Sequence, residues 1–195
     1  FNFYEKENKN DIKKFLKILN NSKNDPKKFQ ILQSYLDEEY IGRYLAYINL
    51  VQNYHETRFH NNRLIIDTWK GQIYPVITDP GQNFNSNTSF DNVTNDLSSI
   101  LHQSSKFINL KYYYLDKLLF KEKIIDKELD YLLKQKNNIT SVIKNDPVLA
   151  SIIPEIFRKN KNFDVIDDTI TSLKKRKNKL INELSKVPKI YWSKH

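Results

Sequence analysis

Apolar and aromatic residues recur at helical spacing from Leu36 to Tyr54, and this stretch organises the predicted fold. On a helix they cover an arc of about 220°, whereas a surface helix needs an apolar face of only about 100°. The pattern therefore predicts a helix that neighbouring elements contact on two sides. Small or polar residues fill the remaining arc and form its expected polar side, namely Glu38, Glu39, Gly42, Ala46, Asn49 and Asn53.

Two further patterns surround this stretch on its N-terminal side. Asn10 or Asp11 is placed to cap a first helix. Its expected apolar face consists of Ile12, Phe15, Leu16 and Leu19. A turn is predicted from Asn20 to Pro26.

No proline follows Pro26 until Pro75, so we expect one long helix to about Asn61. The alternative is a break near Asp37, with two glutamates in the first turn of a new helix.

The helical period fades between Leu64 and Gly81. Two β-prone runs lie there, residues 64–66 and 73–77, but Pro75 interrupts the second run. We therefore expect an extended arm and no sheet. A polar loop rich in Asn, Ser and Thr follows, so that arm and loop together span about 64–95.

Residues from about Thr94 to Asn137 contain neither proline nor glycine, and their apolar positions recur near helical spacing. The pattern predicts one long helix, or two helices that meet near Ser104, with a loosened end at Asn137 and Asn138. A short helix is expected after Pro147.

The last predicted helix begins near Asp167 or Asp168, because carboxylates stabilise a helix N-terminus. Apolar residues then alternate by three and four, with Lys177 in one position of the seam. This seam predicts either packing on the rest of the chain or a helix–helix partner along Ile170, Leu173, Leu180, Leu184 and Val187. Pro188 ends the helix.

These patterns together predict an all-α fold. It is an irregular bundle of several long helices with an extended arm and a basic C-terminal helix and tail. Residues 1–173 form the predicted helical body, and residues 174–195 form an appendage of the same domain.

The charge is distributed unevenly along the chain. The net charge is +9, and residues 174–195 hold eight Lys or Arg and one acid, which is +7 of that total. The first 173 residues therefore carry only +2. This asymmetry predicts an anionic partner for the C-terminal end.

Composition excludes several kinds of site. The absence of cysteine excludes disulfides, thiolate zinc sites and cysteine nucleophiles. No apolar run approaches the roughly 20 residues of a membrane span. Because the chain begins at Phe1, we expect that an N-terminal segment was either removed, as a signal or transit peptide, or left out of the sequence.

No catalytic motif emerges from the titratable residues. His55 and His60 are five residues apart, about 140° on a helix, so they cannot share a face as the two histidines of a zinc-peptidase helix do. Asp164, Asp167 and Asp168 suit a helix N-terminus without a metal. We therefore predict no catalytic residue, no metal site and no cofactor.

The basic end carries the predicted site. Its lysines and arginine can neutralise phosphates, and its two aromatic rings can stack on unpaired bases. The predicted nucleic-acid-binding residues are Lys174, Lys175, Arg176, Lys177, Lys179, Lys186, Lys189, Tyr191, Trp192 and Lys194. The alternatives are a solvated helix face, an acidic protein or a membrane surface. A weaker version of the pattern runs from Lys111 to Tyr114, where most rings are expected in the core.

We expect a non-enzymatic structural component of a large RNA–protein assembly, with RNA and neighbouring proteins as partners. An organellar ribosome in the mitochondrial matrix fits the processed N-terminus and the basic end. The alternative is a secreted or surface-displayed helical protein that binds a host protein. Sequons at Asn20, Asn87, Asn92 and Asn138 suit that alternative equally well. A third possibility is a basic nuclease that uses His55 or His102.

Overall fold

The computed structural model of this chain describes residues 2–51, 63–77, 93, 95–145 and 165–187. Within them the chain forms seven α-helices, one π-helical turn and a two-stranded sheet. This architecture confirms the predicted all-α fold. The elements in chain order are α1 (Asn2–Ser22), α2 (Pro26–Ser34), α3 (Glu38–Val51), β1 (Arg63–Asp67), β2 (Gln72–Val76), α4 (Asp96–Leu101), α5 (Ser105–Asp116), the π-helical turn (Lys117–Lys121), α6 (Ile124–Asn145) and α7 (Val165–Lys186).

The chain packs into two compact units. The first unit contains α1 to α5 and the sheet, and the second contains the π-helical turn, α6 and α7. The boundary predicted between residues 173 and 174 marks a change of charge along the sequence and does not coincide with the division into these two units. It stays a prediction.

The helix α1 begins at Asn2, about two turns before the predicted caps. Asn and Asp are tolerated inside a helix, so those polar residues do not force a start there. Phe15 and Leu19 of the predicted apolar face are buried, whereas Ile12 and Leu16 are exposed. The inward side of α1 is therefore narrower than the sequence pattern predicts.

The predicted long helix after α1 is two helices, and the alternative break near Asp37 is confirmed. α2 ends in a tight turn in which the Tyr35 amide donates to the Leu32 carbonyl at 3.1 Å. Asp37 then caps α3, because its Oδ1 accepts from the Tyr40 amide at 2.9 Å. The expected continuation through residues 52–61 lies outside the described residues.

The prediction of an arm without a sheet is wrong, because residues 63–76 form an antiparallel hairpin of five opposed residue pairs. Pro75 lacks an amide hydrogen but is tolerated, since each strand of a two-stranded sheet has a free edge. The Pro75 carbonyl accepts from the Tyr40 hydroxyl at 2.7 Å, which ties the hairpin to α3. Residues 78–92 and 94 of the expected loop lie outside the described residues.

The predicted junction of two helices near Ser104 is confirmed between α4 and α5. A second break, which the pattern did not predict, separates the π-helical turn from α6. Lys123 lies there with φ of 51°, a left-handed conformation that ends a helix. α6 then runs to Asn145, so the predicted loosening at Asn137 and Asn138 is wrong. The short helix expected after Pro147 lies outside the described residues.

Part of the side of α3 that is expected to be polar is buried, from Gly42 to Asn49, whereas Glu38 and Glu39 are exposed. A Cβ atom at Gly42 would lie 2.8 Å from the Leu110 Cβ and 3.0 Å from the Tyr114 ring, so α5 approaches the α3 backbone closely there. Ala46 and Asn49, on the same side of α3, are also buried. Because Gly42 has no side chain, α5 can approach the α3 backbone at this position.

The exposed side of α3 carries two tyrosines from the predicted apolar arc. Tyr40 and Tyr47 are both partly exposed. Arg43 lies between them, 5.2 Å from the centre of the Tyr114 ring. A hydrogen bond to Tyr114 raises the pKa of the Arg43 guanidinium. The buried side of α3 thus covers about 240°.

Candidate nucleic-acid interface

The helices α6 and α7 pack against each other in the second unit. Lys136 pairs with Asp167 at 2.5 Å, and Lys177 pairs with Asp126. The two pairs are ten residues apart on both helices, and the order is reversed, so the helices run antiparallel. This spacing of about 15 Å fixes the register of α7 on α6 at two points.

The inward side of α7 is a seam with spacings of three and four residues. It consists of Ile166, Ile170, Leu173, Arg176, Leu180 and Leu184, all buried. The last helix packs against α6 of the same chain, which is the first of the two alternatives predicted for this seam, and Val187 at its end is half-buried. The expectation that Lys177 occupies a seam position is wrong, because Arg176 occupies it.

The outward side of α7 is uniformly polar. We call it the α7 polar face; it consists of Thr171, Lys174, Lys175, Asn178, Asn182, Ser185 and Lys186, all exposed. These residues share an arc of about 120° and extend over roughly 22 Å. Lys, Asn, Ser and Thr are the side chains that commonly contact phosphates and sugars. Asp168 is an exposed acid on the same side of α7, and it lies at the N-terminal end, before Thr171. The side chains of the α7 polar face are of the kind that contacts the phosphates and sugars of a nucleic-acid backbone.

Lys174 and Lys175 are the strongest candidates among the predicted site residues. Both are exposed, and neither forms an ion pair within the described part of the chain. Lys186 is also exposed but pairs with Glu183 at 2.8 Å. The pair at 174 and 175 therefore presents the least neutralised charge on the face.

Three other predicted residues of α7 are less accessible. Lys177 and Lys179 are half-buried, and Lys177 is engaged by Asp126. Arg176 is only 1% exposed, so its guanidinium is not presented to a phosphate, and its place among the predicted contacts is corrected. The remaining four, Lys189, Tyr191, Trp192 and Lys194, lie outside the described residues.

The second cationic pattern, from Lys111 to Tyr114, belongs to the interior. Lys111 is fully buried, and its Nζ lies 3.2 Å from Nε2 of His102. The His102 Nδ1 lies 2.7 Å from the Ser98 carbonyl, which fits a ring that donates from Nδ1 and accepts at Nε2. Both ring nitrogens of this nuclease candidate are thus engaged by protein groups. Its companion candidate, His55, lies outside the described residues.

No group of three or more His, Cys, Asp or Glu side chains that could hold a metal ion occurs among the described residues. None of the described helices combines the length and the apolarity that a membrane crossing requires.

Comparisons with protein-family models, curated proteins and solved structures find no match to this chain.

Proposed function

We propose that this chain is a non-enzymatic, RNA-associated structural component of a large ribonucleoprotein assembly, with an organellar ribosome of the mitochondrial matrix as its setting. The observation that supports the proposal is the α7 polar face. It places three exposed lysines among four neutral hydrogen-bonding side chains, and the exposed acid on this side of α7, Asp168, lies beyond its N-terminal end. Such a surface suits phosphate and sugar contacts that do not depend on base sequence.

Lys174 and Lys175 supply the main electrostatic contribution in this proposal. A lysine that is already paired with a carboxylate offers less net charge to a phosphate, as for Lys177 and Lys186. Binding through unpaired lysines releases counterions from RNA, so the affinity falls as salt concentration rises. Lys189, Tyr191, Trp192 and Lys194 follow α7 in the sequence and stay among the proposed contacts.

Charge reversal tests this role. The double variant Lys174→Glu/Lys175→Glu should bind single-stranded RNA weakly. The slope of log affinity against log salt should become shallower by roughly 1.5, because each lysine that contacts a phosphate contributes about 0.7–0.9. Filter binding over a salt series measures both quantities on the full chain.

The matched control is Lys13→Glu/Lys14→Glu on α1. It reverses two adjacent, exposed lysines in the first unit and changes the net charge equally. This control should retain most of the affinity and the slope. Equal losses in both variants would reduce the effect to net charge, and undiminished binding after reversal at 174 and 175 would remove RNA as the partner of this face.

A specific feature favours a protein neighbour as well. Ile12 and Leu16 lie one turn apart on α1 and are both exposed, as is Ile31 on α2. Such side chains suit contact with another protein, which the alternative function, a secreted or surface-displayed binder of a host protein, also requires. Co-purification separates the two functions. Ribosomal proteins and RNA support the assembly component, whereas a host receptor without RNA supports the alternative.

A further inference from the structure

The hairpin between β1 and β2 ends in a tryptophan that faces solvent. The Trp69 side chain is 96% exposed, the highest value among the large hydrophobic side chains that the structure describes. Exposing so large an apolar ring to water is unfavourable. The indole of Trp69 takes no part in the core and is accessible to a ligand.

The turn that carries Trp69 is held in one conformation. Asp67 Oδ1 accepts from the amides of Trp69 and Lys70, both at 3.1 Å. Gly71 follows with φ of 64°, a backbone conformation that residues other than glycine rarely adopt. It leads the loop into β2. The ring is thus presented on a turn whose backbone is already ordered, which lowers the entropy cost of binding.

The hairpin itself is anchored to the helices of the first unit. The Ile73 amide donates to the Tyr35 carbonyl at 2.7 Å. The Tyr40 ring packs edge-on against Tyr74 with centroids 5.0 Å apart. Both contacts involve β2, so this strand is held against the helices and the tip of the hairpin extends from it.

The two charges nearest to the ring belong to Lys70 and Asp67. Lys70 is the next residue and is exposed, whereas Arg63 lies at the opposite end of β1. The only acid of the hairpin, Asp67, uses one carboxylate oxygen to hold the turn. An aromatic ring beside a cation that has no ion pair within the described residues suits an anionic, planar ligand.

We infer that Trp69 and Lys70 form a stacking site for an unpaired base of single-stranded RNA, with Lys70 on the neighbouring phosphate. A single ring and a cation suffice for this contact, and stacking tolerates any base. A protein partner would need an interface of roughly 800 Å² per side with an apolar centre. Ile65, 57% exposed, is the only other markedly exposed apolar side chain on the described hairpin, so that centre is missing. The inference rests on the proposed RNA-associated function.

Substitution at the tip tests the site on the full chain. The probe is a labelled oligouridylate of roughly ten nucleotides, measured by filter binding. Trp69→Ala should weaken binding by roughly 5- to 150-fold while leaving the salt slope unchanged, because stacking releases no counterions. Trp69→Phe should retain most of the affinity, whereas Trp69→Leu, which is apolar but has no ring, should not. The melting temperature should stay constant in all three variants, since the side chain is exposed.

Fluorescence provides a second readout. The chain has two tryptophans, so Trp192→Phe leaves Trp69 as the only one, and it can be excited selectively over the tyrosines. Its emission should be quenched by the oligouridylate along the same saturation curve that filter binding gives for that variant. Ile65→Ala is the control on the same hairpin and should leave affinity unchanged.

The outcomes separate this inference from the proposed function. Wild-type binding that Trp69→Ala leaves intact overturns the stacking site and leaves the RNA-associated function standing. Equal losses of oligouridylate binding in Ile65→Ala and Trp69→Ala, with rescue by Trp69→Leu, would mean that the tip makes an apolar contact without ring stacking, and they also overturn the inference. If the wild-type chain binds no oligouridylate while Trp69 emission stays constant, the proposed function and the stacking site both fail.

Discussion

The helices α3 and α7 are each central to their own unit, but they are buried in different ways. α3 is buried over about 240° of its circumference, including the side that holds Gly42, Ala46 and Asn49. α7 buries one seam against α6 and leaves an opposite polar face of about 120°. In α3 the absence of a side chain at Gly42 lets α5 approach, whereas in α7 the polar side chains stay on the exposed face. A polar or small residue therefore has different consequences in the two helices.

The largest effects are expected where the two helices are alike, in their apolar contacts. Leu45 on α3 and Leu180 on α7 are both almost fully buried. Leu45→Ala and Leu180→Ala should each lower the free energy of unfolding by about 2–5 kcal/mol, because truncation leaves a cavity. Urea titration of each variant measures this. A cost under about 1 kcal/mol at Leu180 would mean that the seam does not hold α7 in place.

The comparison is tested most directly by two asparagines. Asn49 on α3 is 4% exposed, whereas Asn182 on α7 is exposed. Asn49→Ala should cost about 1–3 kcal/mol, because it removes a buried polar group from its partners. Asn182→Ala should stay within about 0.5 kcal/mol of the wild type. Matching small costs in the same urea titrations would show that the Asn49 side of α3 is solvated after all.

Replacement of Gly42 by alanine should destabilise the protein, although the same replacement inside a helix usually stabilises it. A Gly-to-Ala change inside a helix normally stabilises by about 1 kcal/mol. At Gly42 the added Cβ lies 2.8 Å from Leu110, so overpacking of about 1–3 kcal/mol should outweigh that gain. Thr171→Ala on the α7 polar face, in contrast, should be neutral or slightly stabilising. A higher melting temperature for Gly42→Ala would refute the close approach of α5.

The smallest effects are expected at the ion pairs between α6 and α7. Asp126 and Lys177 are partly exposed, so a double-mutant cycle with Asp126→Asn and Lys177→Gln should give a coupling of about 0.2–1 kcal/mol. The coupling should shrink in high salt. A larger, salt-independent value would mean that this pair, and not the seam, holds the two helices together.

The parts of the fold that follow from local chemistry were predictable from the sequence. The helix break at Asp37 follows from a capping side chain, and the α7 seam follows from apolar spacing. The hairpin does not follow from the sequence pattern, because Pro75 interrupts the second β-prone run. That interruption does not exclude a strand that has a free edge. The burial of Gly42 depends on where α5 lies, which no local pattern encodes.

The charge of the candidate site was predictable from the sequence. Which of the basic residues of α7 faces inward was not. Leu173 and Leu180 are seven residues apart, and the inward position between them can fall at either 176 or 177. Both residues are cationic, so charge alone does not choose between them. The structure places Arg176 inward and Lys177 beside Asp126. Trp69 is not predicted as a site residue from the sequence, because the exposure of its side chain, and not its residue type, makes it a candidate.

The hydrogen bond from the Ile73 amide to the Tyr35 carbonyl links the hairpin to the break between α2 and α3. An isolated two-stranded hairpin is only marginally stable in water, so this one persists by docking on that break. Its formation therefore waits for closure of a long loop, a slow step compared with the local winding of helices. The Ile73 amide should then exchange its hydrogen only when the whole first unit opens, although the strand lies at the edge of a small sheet.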